Sequence, residues 1–387
     1  MPTVTGVSNA AAAFRQHFAT TPAGVWSAPG RVNLIGEHTD YNGGFVLPFA
    51  IDRRTDVAAA RRSDDVLRVV SLQKSDDAVT VDLATLRPGD RDDWVGYVLG
   101  TVWALRQAGH DIGGLDLAID GGVPVGSGLS SSAALECAVA LAALELHDIE
   151  IPRESLARIA QHAENDYVGV PCGLMDQMAA SVCRAGHALF FDVRDDVREH
   201  EPFAPQASGL ALMVIDTRAQ HAHSGGEYAA RRRACEAAAA RLGVPLLRDV
   251  TTSDLDDALH QLDDEELRKR TRHVVTENAR VLAARELLRA REFAALGATL
   301  TESHRSLRDD FEVSCAELDL AVDTALNSGA LGARMTGGGF GGCAIALVNA
   351  DDTTSVGGMV EQAFAQSGFA APTIMVPQVA DGVLRIG

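Results

Sequence analysis

Gly121-Gly-Val-Pro-Val-Gly-Ser-Gly-Leu-Ser-Ser-Ser-Ala-Ala134 joins a strand-like run, residues 115–119, to a strongly apolar helical stretch, residues 133–146. Glycines and serines placed directly before a helix suit an anion, because the first backbone N–H groups of a helix lack partners within it and the helix dipole adds partial positive charge. Gly126 and Gly128 allow close backbone approach, and the Ser132 hydroxyl is available to a Mg²⁺ that bridges phosphates. The spacing G-x-x-x-x-G-K-[ST] is absent, so this is not a Walker loop. Taken alone, the stretch reads equally well as an N-cap with a flexible turn.

Working outward, residues 46–51, 66–72 and 79–83 are rich in β-branched or aromatic side chains and punctuated by Gly, Pro, Asn and Asp, which predicts a β-rich opening. Residues 94–107 carry helical apolar spacing. Pro152 fits the first turn of a helix running to about Asn165, and a further helix is expected near Gly173. Residues 188–193 and 210–216 read as strands. Between them, residues 194–208 are charged, contain Pro202 and Pro205 and have no apolar period. The domain boundary is placed there, giving lobes of residues 1–205 and 206–387. Residues 227–241 and 264–291 read as Arg-rich helices with solvated faces. The chain closes with a strand at 343–348, a helix at 353–366 and a strand at 373–376. No repeat interrupts this order, which predicts an α+β protein of two lobes.

Composition narrows the function. The chain has 387 residues, enough for two or three cores, with 34 Lys+Arg against 53 Asp+Glu and a formal net charge of −19. Such a surface repels nucleic acid and anionic membrane, so neither is expected as a partner. Lys74 and Lys269 are the only lysines, leaving positive charge to arginine. The six cysteines are scattered without a C-x-x-C pair, and residues 1–13 lack signal-peptide character, so reduced thiols and a cytoplasmic location are expected. No run of about 18 uncharged apolar residues exists. A monomer is the default expectation.

Three further segments concentrate polar chemistry. Ala28-Pro-Gly-Arg-Val-Asn-Leu-Ile-Gly-Glu-His-Thr-Asp-Tyr-Asn-Gly-Gly44 packs Arg31, Glu37, His38, Asp40 and Asn42 into one turn-rich stretch. It lacks a supporting Cys or second His for a metal, and its carboxylates suit the hydroxyl pairs of a polyol. Glu164 and Asp176 lie in one helix–turn–helix segment, where one carboxylate could complete a Mg²⁺ shell while the other acts as a base; the spacing alone favours instead an Asp176 that caps or solvates its helix. Met335-Thr-Gly-Gly-Gly-Phe-Gly-Gly-Cys343 is a glycine-rich turn ahead of an apolar strand, suited to close approach of a ligand or another backbone. His221 and His223 form an isolated H-x-H that reads as incidental.

Together these segments resemble the GHMP kinases, in order from Ala28 through residues 124–134, 164–178 and 226–232 to 335–343, so the likeness spans nearly the whole chain. Residues 36–44 are similar to the sugar signature of the galactose-phosphorylating branch. The resemblance implies a two-lobed fold: an N-terminal mixed-sheet lobe with the phosphate loop, a C-terminal α/β lobe, and the active site in the cleft between them. It implies phosphorylation of α-D-galactose by ATP at the C1 hydroxyl, the entry step of the Leloir pathway. By motif position Asp176 is the base and Arg31 stabilises negative charge beside it. Ser132 and Glu164 hold Mg²⁺. Gly126, Ser127, Gly128, Leu129, Ser130, Ser131 and Ser132 wrap the triphosphate of ATP, with Ser71 a further ATP contact. Glu37, His38, Thr39, Asp40, Gly173 and Tyr228 bind the sugar. Ser127 stands where the family often has Ala, a change that keeps a small side chain. Other readings are a kinase for N-acetylgalactosamine or arabinose, or a non-catalytic galactose sensor; such sensors resemble members that lack part of the Ser-Ser-Ser-Ala run, which here is complete at residues 130–133.

Overall fold

A computed structural model describes residues 8–74, 78–219 and 224–387; His221 and His223 lie outside them. The first half comprises α1 (Asn9–Phe18), β1 (Gly24–Asn33), β2 (Phe45–Val46), β3 (Pro48–Arg61), β4 (Val66–Ser71), β5 (Val79–Asp82), α2 (Trp94–Gln107), β6 (Leu115–Gly121), α3 (Ser131–Leu146), α4 (Arg153–His162), α5 (Met175–Val182), β7 (His187–Asp192) and β8 (Val197–Pro202). A π-helical turn, Ala163–Val168, continues α4. The second half comprises β9 (Leu210–Asp216), α6 (Ser224–Leu242), α7 (Leu255–Gln261), α8 (Glu265–Ala290), α9 (Phe293–Ser306), α10 (Ala316–Asn327), β10 (Gly332–Thr336), β11 (Cys343–Asn349), α11 (Thr353–Ser367), β12 (Thr373–Met375) and β13 (Leu384–Arg385).

Three sheets organise these elements. The first runs β13-β1-β3-β6-β4-β5 and is mixed, since β4 pairs parallel with β6 while its other neighbours are antiparallel. The second runs β10-β11-β9-β12 and the third β2-β7-β8. α3 is apolar on all sides and accordingly buried on all sides, packing on β1 and β3 and against α2, α4 and α5. One core joins the first sheet to α2 and α3, through Trp26, Leu117, Val98 and Val139. A second joins the β9–β12 sheet to α10 and α11, through Ile215, Ala346, Val322 and Phe364. A third crosses the halves, bringing Val32, Leu34 and Phe49 against Leu212, Val281 and Ile345.

The register between β1 and β3 shifts between Pro29 and Arg31. Pro29 has no N–H to give a ladder, and the Arg31 N–H goes instead to the carbonyl of Leu129 at 3.1 Å. That irregularity brings Arg31 to the glycine–serine loop.

Local expectations differ from the structure in four places. Pro152 is the N-cap of α4 and lies just outside the helix. The charged, aperiodic residues 194–208 contain β8, a strand held from outside by pairing with β7 and by Arg285 and Arg289 of α8 against Glu199 and Glu201. Helices α1, α7, α9 and α10 and strand β10 are additional to the sequence reading. Finally, the chain returns after β12 to the first sheet: Val379 bridges Ile51, Arg54 holds the carbonyls of Asp381 and Gly382 at 2.8 Å, and β13 pairs with β1.

Candidate active site

Two adjoining cavities open between the halves. One, of about 780 Å³, is lined by Gly126, Ser127 and Gly128 on one side and by Asp216, Arg218 and the glycines of residues 338–342 on the other. The second, of about 420 Å³, is faced by Arg31, Glu37, His38, Asp40, Ser132 and Asp176, with Leu129, Ser130, Ser131 and Gly173 also in its wall. Gly128, Tyr228 and Gly338 border both. Residues that the sequence spreads over 300 positions therefore meet at one place.

Asp176 lies in the first turn of α5 and is held in a single orientation. Arg31 gives it two bonds, Nε to Oδ1 and Nη2 to Oδ2, each 2.9 Å, while its Nη1 donates to the carbonyl of Gly128 at 2.5 Å. The Ser130 hydroxyl donates to Asp176 Oδ2 at 2.5 Å. Ser130 adopts a left-handed backbone, φ 60°, at the N-cap of α3, which turns its side chain toward the carboxylate. Asp40 lies beside this group. Burial, and secondly the negative charge of Asp176, pushes its carboxyl up to about 6, although the N–H groups of Tyr41 and Met175 favour the ionised form. Gly173 closes on Asp40: a Cβ there would stand 1.7 Å from Oδ2, so any other residue would displace the Asp40 carboxylate.

Glu37 and His38 both reach the glycine-rich loop. Glu37 is buried and ion-paired with Arg334 of β10, and it accepts from the N–H of Gly337 at 3.0 Å and the hydroxyl of Thr336 at 3.2 Å. Burial nonetheless leaves its carboxyl raised. His38 sits with Nε2 3.1 Å from the carbonyl of Gly338 and Nδ1 2.9 Å from the hydroxyl of Tyr41. Since only Nε2–H can satisfy the carbonyl, Tyr41 donates to Nδ1. Burial lowers this imidazole to about 3, so it is neutral at pH 7.

Three family models match the chain. Residues 12–61 match the model "Galactokinase galactose-binding signature", residues 96–184 "GHMP kinases N terminal domain" and residues 284–366 "GHMP kinases C terminal". The chain is 52% identical over 374 residues to a galactokinase of Streptomyces coelicolor, covering 96% of this chain and 97% of that protein. A galactokinase of Mycobacterium tuberculosis is 46% identical over 357 residues, 92% and 98% of the two chains. The chain belongs to the galactokinase family.

A solved structure of Lactococcus lactis galactokinase complexed with galactose superposes with a TM-score of 0.94 at 34% identity, covering 97% of this chain and 98% of the other. A mevalonate kinase of Methanococcus jannaschii, 17% identical with a TM-score of 0.61 over 92% and 98%, shares the fold. The two-lobed GHMP architecture is thus shown, and the chain is an ATP-dependent sugar kinase of this family. Among the described residues no helix is long and apolar enough to cross a membrane.

Not every residue singled out in the sequence faces the galactokinase cleft. The Thr39 hydroxyl is buried against the carbonyls of Gly36 and Phe45, at 2.8 and 2.6 Å, where it shapes the loop. Ser71, on β4, borders neither cavity; its hydroxyl is 3.4 Å from Gln73 Oε1. Leu129 buries its side chain in the core that crosses the halves and offers the site only backbone. The Ser127 hydroxyl donates to the carbonyl of Pro124 at 2.9 Å.

Behind Ser132 lies a pair of buried carboxyl groups. The carboxyl of Glu164 is pushed up to about 7, first by burial and then by Asp176, with the Ser132 hydroxyl among the groups that favour its ionised form. Glu136 on α3 is completely buried and is raised as well, by burial and then by Glu164. Between the two stands Gln177. Glu136, Gln177 and Arg334 are absent from the sequence reading of the site. A lone carboxylate in the otherwise apolar residues 133–144, and an Arg just before the glycine-rich turn, were the signals that could have marked two of them.

Proposed function

We propose that this galactokinase-family chain transfers the γ-phosphoryl group of ATP to the C1 hydroxyl of α-D-galactose, giving galactose 1-phosphate. The observation that carries the reading is the Asp176 carboxylate, aimed at the smaller cavity by Arg31 and Ser130, with Asp40 alongside. Asp176 takes the C1 hydroxyl proton as the oxygen attacks, and Arg31 stabilises negative charge near the transferring group. Asp40, Glu37, His38, Tyr228 and the backbone of Gly173 orient the sugar, while residues 126–132, which run from the larger cavity into the smaller, hold the triphosphate. Positioning and charge neutralisation are the main demands of phosphoryl transfer, so the scarcity of lysine is no obstacle.

The donor set also fits Mg²⁺. Ser132 and Glu164 offer only oxygen, and no cation among the described residues pairs with the buried Glu164 carboxylate, as a hard divalent ion would. When bound there with ATP, Mg²⁺ supplies neutralisation of the phosphate charge. The reading includes lobes of residues 1–205 and 206–387, a cytoplasmic location and a monomer.

Mg²⁺-dependent ADP release by the purified protein across galactose, glucose, N-acetylgalactosamine, arabinose, mevalonate and homoserine tests it. Turnover with galactose well above the rest is expected. Preference for another sugar would reassign the substrate, and galactose binding without any turnover would point to a sensor.

A further inference from the structure

Gln177 follows Asp176 on α5 and is completely buried. Its Nε2 stands 2.7 Å from Glu164 Oε2 and 3.2 Å from Glu136 Oε2, with Cys172 Sγ farther off at 3.7 Å, so one amide nitrogen serves both carboxyl groups. The contacts join three elements. Glu136 lies one turn beyond Ser132 on α3, hence on the same face of that helix. Glu164 is on the π-helical turn after α4, and Gln177 is on the helix that carries Asp176. No arginine or lysine among the described residues pairs with Glu136 or Glu164, and the Gln177 amide is the donor that the two carboxyl groups share. Without it the Glu164 carboxylate could turn about its terminal torsion, which is a soft one.

We propose that Gln177 is a positioning residue for the divalent cation: braced on Glu136, its amide holds the Glu164 carboxylate toward Ser132 in the orientation that receives the metal of the metal–nucleotide complex. This rests on the reading of Ser132 and Glu164 as the Mg²⁺-binding residues. Groups that orient a metal-binding side chain from behind typically govern affinity by about 10–100-fold. The arrangement also ties the metal and the base together, because one helix carries both Asp176 and the residue that aims Glu164.

Calorimetric titration of the full chain with ADP alone, with Mn²⁺·ADP and, separately, with galactose tests this. The wild-type protein is expected to bind Mn²⁺·ADP more tightly than ADP. Gln177→Met, similar in size but unable to donate, is expected to shrink that preference about tenfold or more while leaving galactose affinity within about twofold. Should Gln177→Met fail to fold, Gln177→Leu, which also cannot donate, carries the same expectation. A variant that keeps the wild-type ratio overturns the positioning role, as does one that loses galactose affinity to the same extent, since simple damage to packing would do that. A wild-type protein with no preference for Mn²⁺·ADP overturns instead the metal reading of Ser132 and Glu164.

Discussion

A carboxylate that takes two bonds from one guanidinium and a third from a hydroxyl has little freedom left, and Asp176 is in that position. Replacing it with Asn keeps the shape and removes the base. Asp176→Asn is expected to lower turnover by at least about a hundredfold while galactose affinity, measured by calorimetry, changes little; near-normal turnover would take the role from Asp176. Asp40 is the complementary case. Asp40→Ala is expected to weaken galactose binding by about 1–3 kcal/mol and ATP binding hardly at all, because hydroxyls of the sugar lose their acceptor. Its carboxyl lies near 6, above the usual 3.8, so in the free enzyme it gains a proton as pH falls through 6. Hydroxyl donors favour the ionised form, and galactose affinity in the absence of nucleotide should therefore drop between pH 7 and 5; Asp40→Asn should flatten that profile. At this scale the sequence shows which residues gather in a motif but not which way they face. Ser130 and Thr39 both sit in hydroxyl-bearing motifs; one points to the base and the other to its own loop, a choice made by φ 60° at Ser130 and by the carbonyls around Thr39.

Elements that satisfy themselves locally were legible, and those held from outside were not. Helices α2 and α3 carry their own periodicity or apolarity, and β9 is a plain apolar strand; each lies where its residues indicate. Strand β10 carries the fully buried Arg334 in five residues, a charge that reads as exposed until Glu37 and the carbonyl of Leu34, about 300 positions away, are brought to it. The same strand crosses α9 at a place with no room for side chains. A Cβ at Gly332 would come within 1.9 Å of the Gly297 carbonyl oxygen, and one at Gly297 within 2.3 Å of that of Leu331. Gly332→Ala is expected to destabilise the protein by about 1–3 kcal/mol or more, because backbone on both sides must move. Urea unfolding with an unchanged midpoint would show that α9 and β10 can separate freely.

At the level of the whole molecule, the chain closes on its own beginning. β13 pairs with β1, Val383 is buried in the core beneath the first sheet, and Arg385 stacks over Trp26 at 5.0 Å. Removing residues 383–387 is expected to lower the melting temperature, since it exposes Trp26 and strips β1 of a neighbour; a calorimetric scan that does not change would show that β1 is held by β3 and α3 alone. Nothing in a two-residue strand announces such a partner. The sequence by itself determined the order of the chemistry-bearing loops, the α+β character and the family resemblance, because turns, caps and apolar periods depend on residues a few positions apart. Only the tertiary structure decided that Arg31 and Ser130 aim Asp176, that Arg334 meets Glu37, and that Gln177 stands between Glu136 and Glu164. Apart from the half-buried Asp176, these are desolvated polar groups, each too costly to bury alone, and the partner that makes burial possible comes from wherever the folded chain places it.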